Sequence, residues 1–368
     1  MSSPHMSGNE MKYIKEAFDT NWVAPLGANV TAFENEMCDY VGRKYAVALS
    51  SGTAAIHLGL KALGVGSGDY VFCSSFTFAG SCNPITYLDA KPVFIDSDYE
   101  TYNMCPEALK KAFKKIPKPK AVIVVNLYGN QANLVALQKI CREHKVPILE
   151  DAAESLGTTY NGKQSGSFGE ISILSFNGNK IITTSGGGML LTDNKDWRDK
   201  VLFWATQSRE DFPWYQHEEI GYNYRLSNIC AGIGRGQLEV LDERVKRKRQ
   251  VYELYKKEFA KNNKISMCNA TVGSNPNWWL TLITLDKDCK ATFMDIITAL
   301  AEYNIEARPA WKPMHMQPVF KECEYFCKDT KRDVSGDLFG RSVCLPSDSK
   351  MSDEDVIFVA SIVNNIVS

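Results

Sequence analysis

Two stretches decide the fold: Ala121-Val-Ile-Val-Val-Asn-Leu127 and, one helix further on, Pro147-Ile-Leu-Glu-Asp-Ala-Ala-Glu154. The first is apolar at every position but Asn126, the pattern of a strand covered on both faces. Between them, Ala132–His144 has helical spacing, and Pro147–Leu149 reads as the next strand. Strand, helix and strand in that order make the crossover unit of a parallel sheet. The alternation extends both ways. Upstream lie an apolar run at Tyr45–Leu49, a helix over Thr53–Leu63 ending at Gly64, and a strand at Tyr70–Ser75. A helix toward Leu88 and a strand at Pro92–Ile95 follow, and downstream Ile171–Phe176 and Met189–Leu191 complete the set. An arm of two helices, Glu10–Thr20 and Val30–Tyr40, precedes them, joined by the turn-rich Asn21-Trp-Val-Ala-Pro-Leu-Gly27.

After residue 225 the pattern changes. Asn228–Phe259 reads as one or two long helices, Trp278–Leu285 as a strand, and Ala291–Tyr303 and Asp353–Asn364 as helices. The expected organisation is an arm plus large α/β domain over residues 1–245, with a smaller α+β domain over 246–368.

The chain has 368 residues, a length that fits about two domains. Its 42 Lys and Arg against 43 Asp and Glu give a net charge of −1, so no global basic excess exists to hold nucleic acid. The basic run Arg244–Lys257 reads as a solvated helix face. With 44% hydrophobic residues the chain is no disordered tail. Eleven cysteines, several inside apolar runs, include no Cys-x-x-Cys pair, and the chain is too large for a disulfide scaffold. They read as reduced, mostly buried thiols of a cytoplasmic protein. No apolar run approaches the roughly 20 residues of a membrane helix.

Four segments carry chemistry. Ser50-Ser-Gly-Thr-Ala-Ala55 follows a strand and opens a helix, so its hydroxyls and free amides form an anion site; ordinary Ser/Thr capping also explains it. Glu150-Asp-Ala-Ala-Glu154 ends a strand, where parallel sheets place ligands; there an acid either caps the next helix or faces a ligand, and Ala152 and Ala153 leave room for a flat ring. Ser172–Lys180 runs from an apolar strand into a small polar loop with one lysine, and Thr183-Thr-Ser-Gly-Gly-Gly-Met189 follows at once. A loop lysine is usually a surface charge, but one held between a buried strand and three glycines is desolvated, which frees its amine for Schiff-base chemistry. Together these are the parts of a pyridoxal phosphate site. Lys180 is the Schiff-base lysine, and Asp151 pairs with the ring nitrogen. Ser51, Gly52, Thr53 and Ser175 hold the phosphate. Phe76 or Phe78 covers one ring face and Ala153 the other, with core packing as the alternative for either phenylalanine.

In this order and spacing, Ser50–Ala55, Glu150–Glu154 and Ser175–Gly188 closely resemble the DegT/DnrJ/EryC1/StrS nucleotide-sugar aminotransferases, and the resemblance extends over nearly the whole chain. It implies a fold-type-I, aspartate aminotransferase-like architecture: a large mostly parallel sheet domain, a smaller C-terminal α+β domain, and a homodimer with shared active sites. It also implies pyridoxal 5'-phosphate alternating with pyridoxamine phosphate. Gly221-Tyr-Asn-Tyr-Arg-Leu-Ser-Asn228 is similar to the family loop that crosses the dimer, which places Asn223 at the partner's phosphate. Glu306–His315 is similar to the family's Arg-Pro-x-Trp-x-x-x-His stretch, which makes Arg308, Trp311 and His315 substrate-binding candidates, with an ordinary salt bridge or core aromatic as the alternative.

Two positions depart from the commoner family pattern, Asn177 where many members have His and Glu154 where many have Gln or His. Both remain cofactor-binding candidates, and both fit the aminotransferases that make UDP-4-amino sugars on the bacillosamine pathway of glycan biosynthesis. The opening Ser3-Pro-His-Met6 is similar to that group too and adds His5 as a substrate-binding candidate. The implied reaction moves an amino group from L-glutamate to C4 of a UDP-linked 4-keto-6-deoxy sugar, UDP-2-acetamido-4-keto-2,4,6-trideoxyglucose above all. Lys180 argues against the sugar 3-dehydratase branch, which has His there. Other readings on the same fold are a lyase or desulfurase with a catalytic cysteine, and a non-catalytic regulatory protein. No metal, nucleic acid or membrane partner is expected.

Overall fold

The computed structural model describes residues 1–329 and 332–367. In chain order the first half runs α1 Glu10–Asp19, α2 Ala28–Val41, β1 Tyr45–Leu49, α3 Gly52–Ala62, β2 Tyr70–Ser74, α4 Asn83–Tyr87, β3 Lys91–Ile95, α5 Pro106–Lys115, β4 Ala121–Val125, α6 Leu134–His144 and β5 Ile148–Asp151. Then come the short β6 Thr159–Tyr160 and β7 Lys163–Gln164, β8 Ile171–Ser175, β9 Gly188–Thr192, α7 Lys195–Ala205, α8 Asn228–Leu238 and α9 Leu241–Phe259. The remainder is β10 Ile265–Met267, β11 Ser274–Asn275, β12 Thr281–Leu285, α10 Phe293–Glu302, β13 Arg308–Pro309, β14 Tyr325–Phe326, α11 Val334–Arg341, β15 Ser342–Leu345 and α12 Asp353–Val367.

The large sheet has the order β1-β9-β8-β5-β4-β2-β3-β14. Its pairs are parallel from β8 to β14, and β9 is antiparallel to both β1 and β8. This is the expected α/β fold. β4 is covered on both faces: Ala121, Ile123 and Val125 point into one apolar cluster, Val122 and Val124 into another. Helix α3 is buried from Ala54 to Leu60, with Gly59 against Leu149 and Ile171, where a methyl would lie 3.0–3.2 Å from their side chains.

A smaller antiparallel sheet, β10-β12-β15-β13, packs with α10 and α12 around its own core. Helix α9 belongs to both bodies. Leu241 and Val245 join the large core, and Val251, Tyr255 and Phe259 the small one. The passage from one core to the other therefore lies within this helix, and later segments return to the large body: β11 pairs with β6, and β14 adds to β3.

The structure settles one open expectation and changes others in detail. Asn228–Phe259 is two helices, interrupted at Glu239 and Val240. The strand expected from Trp278 begins at Thr281, because Trp278 takes a positive φ of 50° outside the ladder. The helix toward Leu88 is a short turn at Ala79–Ser81 plus α4, which Pro84 helps start. The basic run on α9 is not wholly solvated, because Lys248 is buried. All eleven cysteines are unpaired, seven of them buried. Among the described residues no helix is long and apolar enough to cross a membrane.

Candidate active site

The site forms where β5 and β8 end beside the start of α3. Side chains alternate along a strand, so the two neighbouring acids that end β5 face opposite ways. Glu150 points into the protein, accepting hydrogen bonds from Asn126, Gln131 and Ser172 and from the amides of Gly166, Phe168 and Gly169. Asp151 lines a cavity of about 240 Å³. Its Oδ2 accepts from Ser81 Oγ at 2.7 Å and its Oδ1 from the Ala153 amide at 3.0 Å. It therefore both caps its turn and faces the cavity.

Across the cavity is Lys180, whose side chain is 12% exposed and whose Nζ lies 3.8 Å from Glu154 Oε1. The Nζ also lies 4.0 Å from the centroid of the Trp279 ring. Burial lowers the Lys180 pKa, and the two carboxylates oppose that shift. Burial raises the pKa of both Asp151 and Glu154. Glu154 is fixed by the Tyr128 amide, which donates to Oε2 at 2.6 Å.

The third wall is the first turn of α3. Ser51 caps it, accepting from the Ala54 amide at 3.0 Å, a contact worth about 1 kcal/mol. Gly188, the last of the glycine triplet, makes this wall possible. A Cβ on Gly188 would fall 2.3 Å from Ser51 C and 2.4 Å from Gly52 N, so β9 runs in backbone contact with the helix start. Ser175, at the end of β8, closes the cradle below Gly52.

These residues fit pyridoxal phosphate. Asp151 and Glu154 are buried, and among the described residues Lys180 is the cation acting on both. Two carboxylates against one ammonium leave a negative charge that a protonated ring nitrogen would neutralise. The open amides of α3 and the hydroxyls of Ser51, Thr53 and Ser175 suit the phosphate.

Of the residues singled out from sequence, Ser51, Gly52, Thr53, Phe78, Asp151, Ala153, Glu154, Ser175, Asn177, Lys180 and Trp311 line this one cavity. Phe76 does not. It is 1% exposed and packs edge-on against Tyr128 in the core, which leaves Phe78 as the one of the two that lines the cavity. Asn223 is exposed on the segment bridged to Thr206, outside the lining of the cavity. Arg308 lines a neighbouring cavity of about 110 Å³ that shares Asn179, Trp279 and Trp311 with the first, and it is paired with Glu306 at 2.5 Å. His5 lies apart from both cavities, held by Ser349 and Arg244. His315 is likewise outside the cavity lining, bound to Ser75 and Asp333.

Sequence reading missed Trp279, Ser81, Thr77 and Asn179, all of which line the cavity. Trp279 follows a second tryptophan, and Ser81 lies in a polar loop. Neither position carries a local pattern that marks it.

The chain matches the DegT/DnrJ/EryC1/StrS aminotransferase family over residues 4–364. It is 51% identical over 359 residues to EpsN of Bacillus subtilis (strain 168), provisionally named a pyridoxal phosphate-dependent aminotransferase, with 96% of this chain and 92% of EpsN covered. It is 35% identical to the GDP-perosamine synthase of Escherichia coli O157:H7, covering 99% and 97% of the two chains. A solved aminotransferase of the same family from Brucella abortus superposes with a TM-score of 0.90 at 25% identity, covering 98% and 96%. The chain belongs to the DegT/DnrJ/EryC1/StrS aminotransferase family and is a pyridoxal phosphate-dependent aminotransferase.

Proposed function

We propose that the chain transfers an amino group from L-glutamate to C4 of a UDP-linked 4-keto-6-deoxy sugar, with UDP-2-acetamido-4-keto-2,4,6-trideoxyglucose as the preferred acceptor. The observation that carries the reading is the set of Lys180, Asp151 and Glu154 on one cavity that opens beside the first turn of α3. Two features support a sugar nucleotide as acceptor. The adjoining cavity brings Arg308 beside Trp279 and Trp311, and the E. coli relative is named for a nucleotide-linked sugar.

When bound, pyridoxal phosphate supplies an electron sink for charge developing on the carbon that loses its proton. The protein does the rest. Asp151 keeps a proton at the ring nitrogen. The first turn of α3, with Ser51, Thr53 and Ser175, holds the phosphate. Lys180 Nζ, its proton affinity lowered by burial, takes the proton from the donor's Cα and delivers one to the sugar's C4 in the second half-reaction. Glu154 holds the lysine against Trp279. Phe78 and Trp311, with ring centroids 5.6 Å apart, cover the mouth and keep water out. The proposal includes a cytoplasmic homodimer in which Asn223 reaches the partner's phosphate. Among the described residues no cysteine lines the Lys180 cavity, which disfavours the desulfurase reading.

The test mixes cofactor-loaded protein with L-glutamate, follows the visible absorbance, and then adds keto-sugar. Bleaching by glutamate and recovery with the UDP-linked sugar support the proposal. Recovery with a GDP-linked 4-keto sugar in its place overturns the choice of nucleotide. No bleaching overturns the choice of donor.

A further inference from the structure

We propose that His315 is a positioning residue that locks the loop carrying Phe78 to the loop carrying Trp311, and so sets the aromatic rim of the Lys180 cavity without touching substrate. Both ring nitrogens are already engaged. Ser75 Oγ lies 2.7 Å from Nδ1 and accepts from the His315 amide at 3.3 Å, while Nε2 lies 3.1 Å from Asp333 Oδ2. The consistent assignment has Nε2–H donating to Asp333 and Ser75 Oγ–H donating to Nδ1. The ring also stacks on Tyr325, with centroids 3.8 Å apart and planes within 10°. Its side chain is 13% exposed.

The clamp is rigid on both sides. Asp333 is itself held by the Tyr325 hydroxyl at 2.8 Å and the Gly336 amide at 2.9 Å. Burial would raise the Asp333 pKa, but its hydrogen bonds, His315 foremost, hold it at about 2, so it stays an anionic acceptor. Ser75 is fully buried and also accepts the Met314 amide at 2.8 Å. From Ser75 the loop leads into the site. The Thr77 amide donates to Ser75 O at 3.1 Å, Thr77 Oγ1 meets Ser81 Oγ at 2.7 Å, and Ser81 Oγ donates to Asp151 at 2.7 Å. Between these contacts Phe78 stands at the mouth, 55% exposed. On the other side, Trp311 is fixed by its amide to Tyr128 Oη at 2.9 Å and faces Phe78. Without the imidazole the two loops keep the Met314 amide bond to Ser75 O and the His315 amide bond to Ser75 Oγ, but they lose the side-chain link through Nδ1, Asp333 and Tyr325, and the rim is held less tightly.

The test uses His315→Ala, Ser75→Ala and the double variant, each loaded with pyridoxal phosphate. In substrate-free protein, amide exchange over residues 75–81 and 311–315 is expected to rise about tenfold in His315→Ala, with a smaller rise in Ser75→Ala. The double variant should exceed His315→Ala by little, because the side-chain contact is already gone in His315→Ala and Ser75→Ala removes in addition only the longer 3.3 Å bond from the residue-315 amide. The glutamate concentration that half-saturates bleaching should rise about fivefold, with the limiting rate within about twofold of wild type. Unchanged exchange over 75–81 overturns the proposal, whatever happens to the kinetics. Changed exchange in which both residues contribute independently overturns the clamp. If His315→Ala does not fold, Ser75→Ala, which lacks one hydroxyl, decides by the same readouts. Wild-type protein that fails to bleach with glutamate counts against the donor and leaves the exchange comparison decisive.

Discussion

Lys180 and Lys248 form a natural pair. One sits in the loop after β8 with its side chain 12% exposed, and the other is buried within α9 where the two bodies join. Burial lowers the pKa of each, that of Lys248 to about 7. The shift alone would nominate either as a catalytic amine. Their surroundings separate them. Lys248 spends its three protons on neutral oxygens, Ser2 Oγ at 2.9 Å, Trp279 O at 2.9 Å and Ser347 O at 2.7 Å. Lys180 faces two buried carboxylates, an aromatic ring and open space. A saturated, enclosed ammonium is what a structural tie requires, whereas one that faces excess negative charge and a cavity is what the proposed reactive amine requires. The two are also connected, since Lys248 holds the carbonyl of the tryptophan whose ring covers Lys180.

The sharpest way to break this contrast is to delete each amine. Lys180→Ala should cut turnover by about 10⁴-fold or more, the upper range for a positioned proton carrier, while the melting temperature stays near wild type. Steady-state rates and a thermal scan check both halves. Asp151→Asn should follow, with a loss on the order of 10²-fold because the ring nitrogen is no longer kept protonated. A rate equal to wild type would show that the buried acid has no electronic role.

Lys248→Met should show the reverse pattern: activity per folded molecule within a few-fold of wild type, and stability lower by about 1–3 kcal/mol, because buried carbonyls lose their donor. The pH dependence sharpens this. An amine with a pKa of about 7 in the folded protein and roughly 10.4 unfolded leaves the unfolded chain binding more protons between those values. Its contribution to stability therefore rises with pH across that window. Urea unfolding at pH 7 and pH 9 should show the gap between wild type and Lys248→Met widening at the higher pH; a gap independent of pH would mean that Lys248 keeps an ordinary proton affinity.

Much of the site was legible because its parts are local. Ser51–Thr53 and Asp151 sit at the end of a strand and Lys180 in the loop that follows one, each in a short segment of telling composition, and each reaches the same cavity. What escaped was whatever the fold brings from afar. Trp279 meets Lys180 across a gap of about a hundred residues, and Ser81 meets Asp151 by side-chain contact alone. The choice between Phe76 and Phe78 was undecidable because alternate residues in an irregular loop do not declare which one turns inward. The antiparallel direction of β9 was hidden for a related reason, since a buried apolar run reads the same either way. Tyr325–Phe326 is too short to show a period, yet it extends the large sheet. The resemblance makes His315 a substrate-binding candidate, and its contacts to Ser75 and Asp333 depend on residues 240 and 18 positions away that no local pattern links to it.

The central claim, that Lys180 and not Lys248 is the reactive amine, has a direct test. Protein loaded with pyridoxal phosphate is treated with borohydride, which makes the link between cofactor and lysine permanent, and then digested and mapped by mass spectrometry. The account predicts the cofactor's mass on the peptide containing Lys180, and none on the peptide containing Lys248. The cofactor on Lys248, or on any lysine other than Lys180, would contradict it.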